Sequence, residues 1–484
     1  MKNHHINRTL FPAVVLGVAL LSGCTMAPKY LRPQAPVSDE WPRGAAYPDL
    51  QVASDEPMPW DLDWRNFITD EQLRQVIEAA LANNRDLRLA ALNVEKMRAL
   101  YNIQREELYP TVYGTGSGGR QRASADLAAG GESRTTERYD VNFGVLSWEI
   151  DFFGRIRSLK DEALETYLGM EEARRSTQIL LVSSVANAYM ALAADREALA
   201  LAENTLDTQK AALELVQRQY DLGIATELDL HRAQIPVAVA RGDIARYTQR
   251  TAQTENALRL LVGSPVDAEL LPAELRPISR PAAITPGLSS EALLRRPDIV
   301  SAEHQLKGAY ARIGAARAAF FPRISLTTTI GTASDELSRL FASGTGTWSY
   351  GPEIAMPIFD ARTWSAHRVS KVEREIALAH YEKAIQNAFR EVADALAVRG
   401  TVDQELAAQT SLVESLTETH RLAFLRFEKG IDSYLGVLDS QRTLYDAQQV
   451  LVSLRLAQFT SHVKLYAVLG GGWTGEAVGQ AETK

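Results

Sequence analysis

The chain has 484 residues, enough for two or three ordinary domains, and is 46% hydrophobic and 23% charged. A formal net charge of -8 argues against nucleic acid as the ligand, and a single cysteine excludes an internal disulfide. Lys2 and Arg8 open a short cationic region, Leu10 to Leu20 is apolar, and Leu21-Ser22-Gly23-Cys24 follows. The apolar run is too short to cross a membrane as a helix and has the proportions of a signal peptide.

The small residues before Cys24 resemble the bacterial lipobox, which would make Cys24 the lipidated first residue of the mature chain. Thr25, in place of a retention aspartate, favours the outer membrane. Cleavage after residue 23 removes Lys2 and Arg8 but no acid, leaving a net charge of -10. Residues 24–69 form an N-terminal segment. From Thr25 to about Asp63 it is aperiodic and rich in Pro and acids, so it reads as an extended chain on the surface. Trp41, Trp60 and Trp64 are candidate anchors for it.

A first repeat occupies 70–263. Asp70 caps a helix through Asn83, and a second helix runs from about Asp86 to Leu108, broken at Tyr109-Pro110. The pattern then changes to a hairpin. Thr111 to Gly119 and Tyr139 to Ile150 are strands with one apolar and one polar side, joined by a polar loop, Arg120 to Arg138. A helix of more than sixty residues follows from Arg155, with Gly223 as its C-cap, and would be roughly 100 Å long. Val185, Leu192, Leu199, Leu206, Leu213 and Tyr220 recur every seven residues, with Ala202 and Val216 between them. Such a strict repeat belongs to helices that lie along other helices. Thr226 caps a further helix to about Leu261, and its Pro236 predicts a bend or a loosened turn.

Residues 264–287 read as a linker, and a second repeat fills 288–470, followed by a C-terminal tail, 471–484. Its elements are a short helix from Ser289, a helix from Asp298 to Phe320, and strands over 323–331 and 348–359 around a polar loop, 332–347. A long helix from about Arg362 to Lys429 ends at Gly430, and a last helix spans Ser433 to Leu469. Asp86 and Asp298 stand 212 residues apart, as do Pro110 and Pro322. Gly223 and Gly430, Gln234 and Gln441, and Gly263 and Gly470 stand 207 apart. The chain therefore reads as a tandem duplication of helix, hairpin, long helix, helix.

Four amphipathic strands cannot close a barrel around a lumen, and open edges are not tolerated in lipid. Membrane insertion of the hairpins thus requires several chains to pool their strands.

At this point a resemblance is specific. Trp64, Phe67, Asp70, Leu73, Ala80, Leu81, Asn84, Asp86 and Leu87 resemble the opening signature of the TolC/OprM-type outer-membrane factors, in their lipoprotein branch. Trp148, Glu149, Asp151, Phe153, Gly154 and Arg155 match that family's strand-to-helix junction. Leu293 to Asp298, with Ala302 and Glu303, match the start of its second repeat, and Gly430, Leu435, Leu438, Asp439, Gln441 and Arg442 its periplasmic tip.

The resemblance implies the outer-membrane factor fold, an α/β barrel-tunnel. It consists of a trimeric 12-stranded transmembrane β-barrel continued by a 12-helix periplasmic coiled-coil tunnel. It implies a homotrimer in outer-membrane lipid, a periplasmic adaptor (membrane fusion) protein and an inner-membrane pump of RND type. The implied function is a passive exit duct for drugs, other toxic compounds or metal ions. It also implies a selectivity region at the helix–helix turns. Leu435 and Asp439, one turn apart, would form an apolar and an acidic ring that attracts cations. Glu227 and Asp229 are their counterparts in the first repeat, with Arg442 bridging to one of them in a closed state. Gly223 and Gly430 lie at the tip that meets the adaptor. Gly436 replaces the additional aspartate of the TolC branch, so no second acidic ring is expected there.

The eight histidines have no metal-ligand spacing, and His420, in the heptad register, reads as a packed side chain. No catalytic group or cofactor is expected beyond the lipid on Cys24. Two alternatives stand at this stage: an exit duct for type I-like protein secretion, and a lipid-anchored periplasmic scaffold without a pore.

Overall fold

A computed structural model describes residues 25–47, 62–127, 131–275, 278–279, 281–282 and 290–471. The expected signal peptide, Cys24, Trp60 and residues 472–484 lie outside these. The helices are α1 (Trp64–Phe67), α2 (Glu71–Asn83), α3 (Arg85–Glu106), α4 (Arg155–Asp221), α5 (Glu227–Val262), α6 (Pro297–Ala318), α7 (Ala361–Glu428) and α8 (Tyr434–Val468). The strands are β1 (Val112–Ala123), β2 (Arg134–Glu149), β3 (Arg323–Ser334) and β4 (Gly346–Ala355). The chain forms two compact units, and each draws on both halves of the sequence. One unit is Met1–Gln34, Asn93–Met170 and Ser301–Tyr381; the other is Ala35–Leu92, Glu171–Val300 and Glu382–Lys484.

The first unit holds a four-stranded antiparallel sheet in the order β1-β2-β3-β4. The four strands overlap the segments that the alternation marks, and all four extend further toward the loops. Arg120, Gln121 and Arg122 continue β1 opposite Glu137, Thr136 and Thr135, and Arg120 pairs with Glu137 at 3.1 Å. Backbone pairing does not need apolar side chains, so the ladder outruns the hydrophobic pattern. β4 ends earlier than expected, at Ala355, because its ladder partner β3 begins opposite it, at Arg323.

Residues directly opposite one another share a face of the sheet. One cross-strand row is Gly114, Phe143, Ile330 and Trp348, and the next is Val112, Val145, Thr328 and Tyr350. The opposite face carries Thr115, Ser117, Asp140, Asn142, Thr329 and Ser349. A bulge at Ser147, where φ is 58°, shifts the alternation by one residue, so that Trp148 faces with Leu326 on the apolar side. At the start of α4, Asp151 accepts hydrogen bonds from the backbone N–H groups of Ile156 (3.1 Å) and Arg157 (2.8 Å). Glu149 holds Arg155 through two bonds of 2.8 Å and Arg323 at 3.1 Å. Phe153 stacks on Phe321 at 4.9 Å. The junction signature is therefore a set of clasps that fixes strand against helix.

Residues 25–34 of the N-terminal segment lie on this unit as an extended strap. Glu303 of α6 is buried and accepts from Arg32 at 3.1 and 2.7 Å and from the Tyr30 hydroxyl at 2.9 Å.

The second unit is helical. Asp70 caps α2 by accepting from the Leu73 N–H, and Leu73, Val76, Ile77 and Ala80 form its buried face. The heptad seam of α4 is buried at Val185, Leu192 and Ala202. By composition α4 alone among the described helices is apolar enough to cross a membrane, but more than half of that stretch is packed inside protein. Trp41 and Trp64 are buried, Trp41 stacking on Phe389 at 5.2 Å. The expected linker is partly core, because Leu271 and Leu275 are buried and Ala282 donates to the Phe67 carbonyl. Its prolines remove periodicity without removing apolar side chains.

Candidate gate and membrane-facing sheet

The two helix–helix turns, α4 to α5 and α7 to α8, share a backbone design. Gly223 and Gly430 have φ of 74° and 70°, the left-handed region that glycine enters without strain. Ile224 N–H donates to the Gln219 carbonyl, and Ile431 N–H to that of Arg426, the equivalent position 207 residues on. Their side chains differ. Arg426 grips Asp432 across the second turn at 2.5 and 3.2 Å, where the first has Gln219 and Ala225. That hydrogen-bonded pairing pushes the Arg426 pKa up and the Asp432 carboxyl down. This clasp was missed from sequence; its signal is a pair of opposite charges flanking a capping glycine.

In α8, Tyr434, Val437 and Gln441 are buried, and Tyr434 and Val437 pack on Ala212, Val216 and Ala233. Leu435, Asp439 and Arg442 follow the opposite edge of the helix, one turn apart, and Leu435 is 52% exposed. The structure thus brings these three expected residues together on an open surface.

The bridge expected between Arg442 and Asp229 or Glu227 is not formed. Arg442 donates to Asp439 at 3.0 Å, a neighbour three residues away on its own helix. Asp229 is occupied in a capping box, accepting from the Thr226 N–H (3.1 Å) and hydroxyl (2.6 Å) while Thr226 Oγ1 accepts the Asp229 N–H. The Thr226 hydroxyl, then its N–H, holds the Asp229 carboxyl below its usual range. Glu227 lies 3.8 Å from His231. Pro236 does not interrupt α5, which stays helical through it. His420 is packed as expected, its Nδ1 3.2 Å from Ser440 Oγ, and burial lowers its pKa.

The sheet provides the second functional surface. Phe143, Ile330, Trp348 and Tyr350 are each at least 60% exposed, a contiguous apolar face suited to lipid. The other face is polar, with Ser117 donating to Asp140 at 3.0 Å and Thr329 bonded to Ser349 at 2.7 Å. β1 and β4 each pair on one side only.

The family profile described as outer membrane efflux protein matches residues 76–264 and 288–471, most of the chain. The chain belongs to the outer membrane efflux protein family. It is 47% identical over 470 residues to the toluene efflux pump outer membrane protein TtgC of Pseudomonas putida, covering 96% of each chain. A membrane protein from Pseudomonas aeruginosa superposes with a TM-score of 0.86 at 40% identity, covering 93% of this chain and 98% of that one. The open state of the Neisseria gonorrhoeae MtrE outer membrane channel gives 0.83 at 34% identity, with 93% and 98% coverage.

The efflux family member described here is a passive, non-catalytic exit duct for small molecules at the outer membrane, extending into the periplasm. The pore-free scaffold and protein-secretion readings are set aside. Among the described residues no group of His, Cys, Asp or Glu is placed to hold a metal ion.

Proposed function

We propose that three copies of this chain assemble into a channel that takes cargo from an inner-membrane RND-type pump and a periplasmic adaptor and releases it outside the cell. The observation that carries this reading is the sheet, with one apolar face and an outer strand on each side whose far edge is unpaired. An unpaired edge in lipid leaves backbone groups without partners, each costing several kcal/mol. In the meander β1 and β4 run antiparallel, so β4 of one copy can pair with β1 of the next around a closed ring. Three copies give a 12-stranded barrel, and α4, α5, α7 and α8 give a 12-helix tunnel. A lipid on Cys24 anchors the strap in the same membrane.

At the tunnel tip Leu435 and Asp439 form the constriction and its acidic ring, with Arg442 attenuating the charge of its neighbour. Glu227 and Asp229 line the first-repeat turn, and the adaptor meets the turns capped by Gly223 and Gly430. Small apolar compounds, of the kind named for TtgC, are the cargo.

Single-channel conductance in planar bilayers tests this. The native protein is expected to give small, cation-preferring openings, and Leu435→Ala/Asp439→Ala larger ones with weaker cation preference. Silence from both verified oligomers would remove the channel; identical conductance would remove the gate.

A further inference from the structure

In the first unit α4 and α6 meet along a polar seam. Glu162 holds Arg312 at 2.8 Å, Glu165 lies 2.6 Å from His304 Nδ1, and Ser301 donates to the Gly169 carbonyl at 2.8 Å. The repeat is offset by 207 residues from α4 to α7 and by 212 from α3 to α6. These three pairs therefore map onto Val369 with Leu100, Val372 with Leu92, and Ile376 with Leu89. Every member of the mapped seam is aliphatic.

All six side chains are left in the open. Val369, Val372 and Ile376 are each more than half exposed, and Leu89, Leu92 and Leu100 are 46–58% exposed. Helical spacing puts each trio on one face of its helix. α3 buries none of its residues, and the exposed Ile103 prolongs its stripe. Lys96 interrupts that stripe with an aliphatic stem whose charge can reach water. The other faces of both helices are occupied. Tyr101 of α3 stacks on Tyr167 of α4, and Trp364 and Arg374 of α7 pack on Phe320 and Tyr310 of α6.

Continuity with the sheet indicates what covers the stripes. β1 follows α3 and β4 precedes α7, so the two strands with open edges join the two helices with open stripes. We propose that the α7 stripe of one copy packs on the α3 stripe of the next, the interchain counterpart of the α4–α6 seam. This rests on the ring closure through β4 and β1, and names the residues that join the helices beyond it. The contrast between the seams also fixes which helices meet. An aliphatic stripe entering the polar seam would strand Glu162 or Arg312 without its partner, a cost that the matched pairings avoid.

Subunit exchange between assemblies carrying two different fluorophores, followed by energy transfer, tests the seam. Val369→Glu or Leu100→Arg alone places an unpaired charge there and should speed exchange roughly a hundredfold. Val369→Glu/Leu100→Arg transplants the Glu162–Arg312 pair and should recover most of that loss, whereas Val369→Arg/Leu100→Arg should recover none. Helicity of each chain is checked, and a single change that prevents assembly counts as the same loss. Exchange unmoved by the single changes, or a Glu/Arg pair no better than the singles or than the Arg/Arg pair, overturns the proposal. A native chain that stays single overturns ring and seam together; an assembly indifferent to these changes overturns the seam alone.

Discussion

Replacing Ile330 by Arg should cost far more than the same change one residue away at Thr329. Ile330 lies in the apolar row with Phe143 and Trp348, and Thr329 on the face that bonds Ser349. The apolar face extends along β3 from Ile324 to Ser334. Ten residues at about 3.4 Å, tilted by about 40°, give a height of roughly 26 Å, close to the ~25 Å apolar band of a transmembrane barrel. Ile330 is near the middle of that band and Ile354, opposite Ile324, at its end.

A charged side chain on the lipid face costs about 2–4 kcal/mol at the midplane and about 0–1 kcal/mol near an interface. Ile330→Arg should therefore destabilise each chain by about 2–4 kcal/mol, Ile354→Arg by about 1 kcal/mol or less, and Thr329→Arg by little. Denaturant titration of protein folded into lipid vesicles, followed by tryptophan fluorescence, measures all three. Equal costs at 329 and 330, or a larger cost at 329, would refute the assignment of the lipid face. Equal costs at 330 and 354 would refute the depth.

Further tests address the helices and the strap. Burial raises the Glu303 pKa, but the hydrogen bonds from Arg32 and Tyr30 outweigh it, leaving the carboxyl below its usual range. Its contribution is therefore present at neutral pH and lost as pH falls through that depressed value, below about pH 4. Glu303→Gln should release the strap at pH 7, read as faster trypsin cleavage after Lys29, since Pro33 blocks cleavage after Arg32; unchanged cleavage would refute the clasp. The lowered pKa of His420 means the unfolded chain binds its proton more readily, so stability should fall as pH drops below about 6.5. His420→Gln should flatten that dependence in thermal melts at pH 5 and 8, and an unaltered slope would count against it. Thr226→Ala removes the hydroxyl's half of the capping box while the backbone N–H at 226 can still donate to Asp229, and should cost roughly 1 kcal/mol, with hydrogen exchange increasing first at the start of α5. Uniform exchange along the helix would contradict a local cap.

Much of this architecture was legible because it rests on local, repeated constraints. Asp70 and Thr226 announce helix starts, Gly223 and Gly430 announce ends, and the seven-residue spacing on α4 marks a buried seam. The alternation around Phe143 and Ile330 marks the strands. Each depends on the chain's own 3.6- or 2-residue geometry, which needs no distant partner. The extra length of β1 and β2 did not show, because Arg120 pairs with Glu137 only once the hairpin exists. Nor did the bulge at Ser147 that returns Trp148 to the apolar face, since a register shift is set by the neighbouring strand.

The candidate gate region divides the same way. The sequence alone placed Leu435, Asp439 and Arg442 on successive turns of one helix, since helical spacing decides that. Only the tertiary structure decided that Arg442 bonds Asp439, that Asp229 serves a cap, and that Arg426 clasps Asp432. A carboxylate takes whichever donor the folded chain brings within about 3 Å, and several stood in sequence reach.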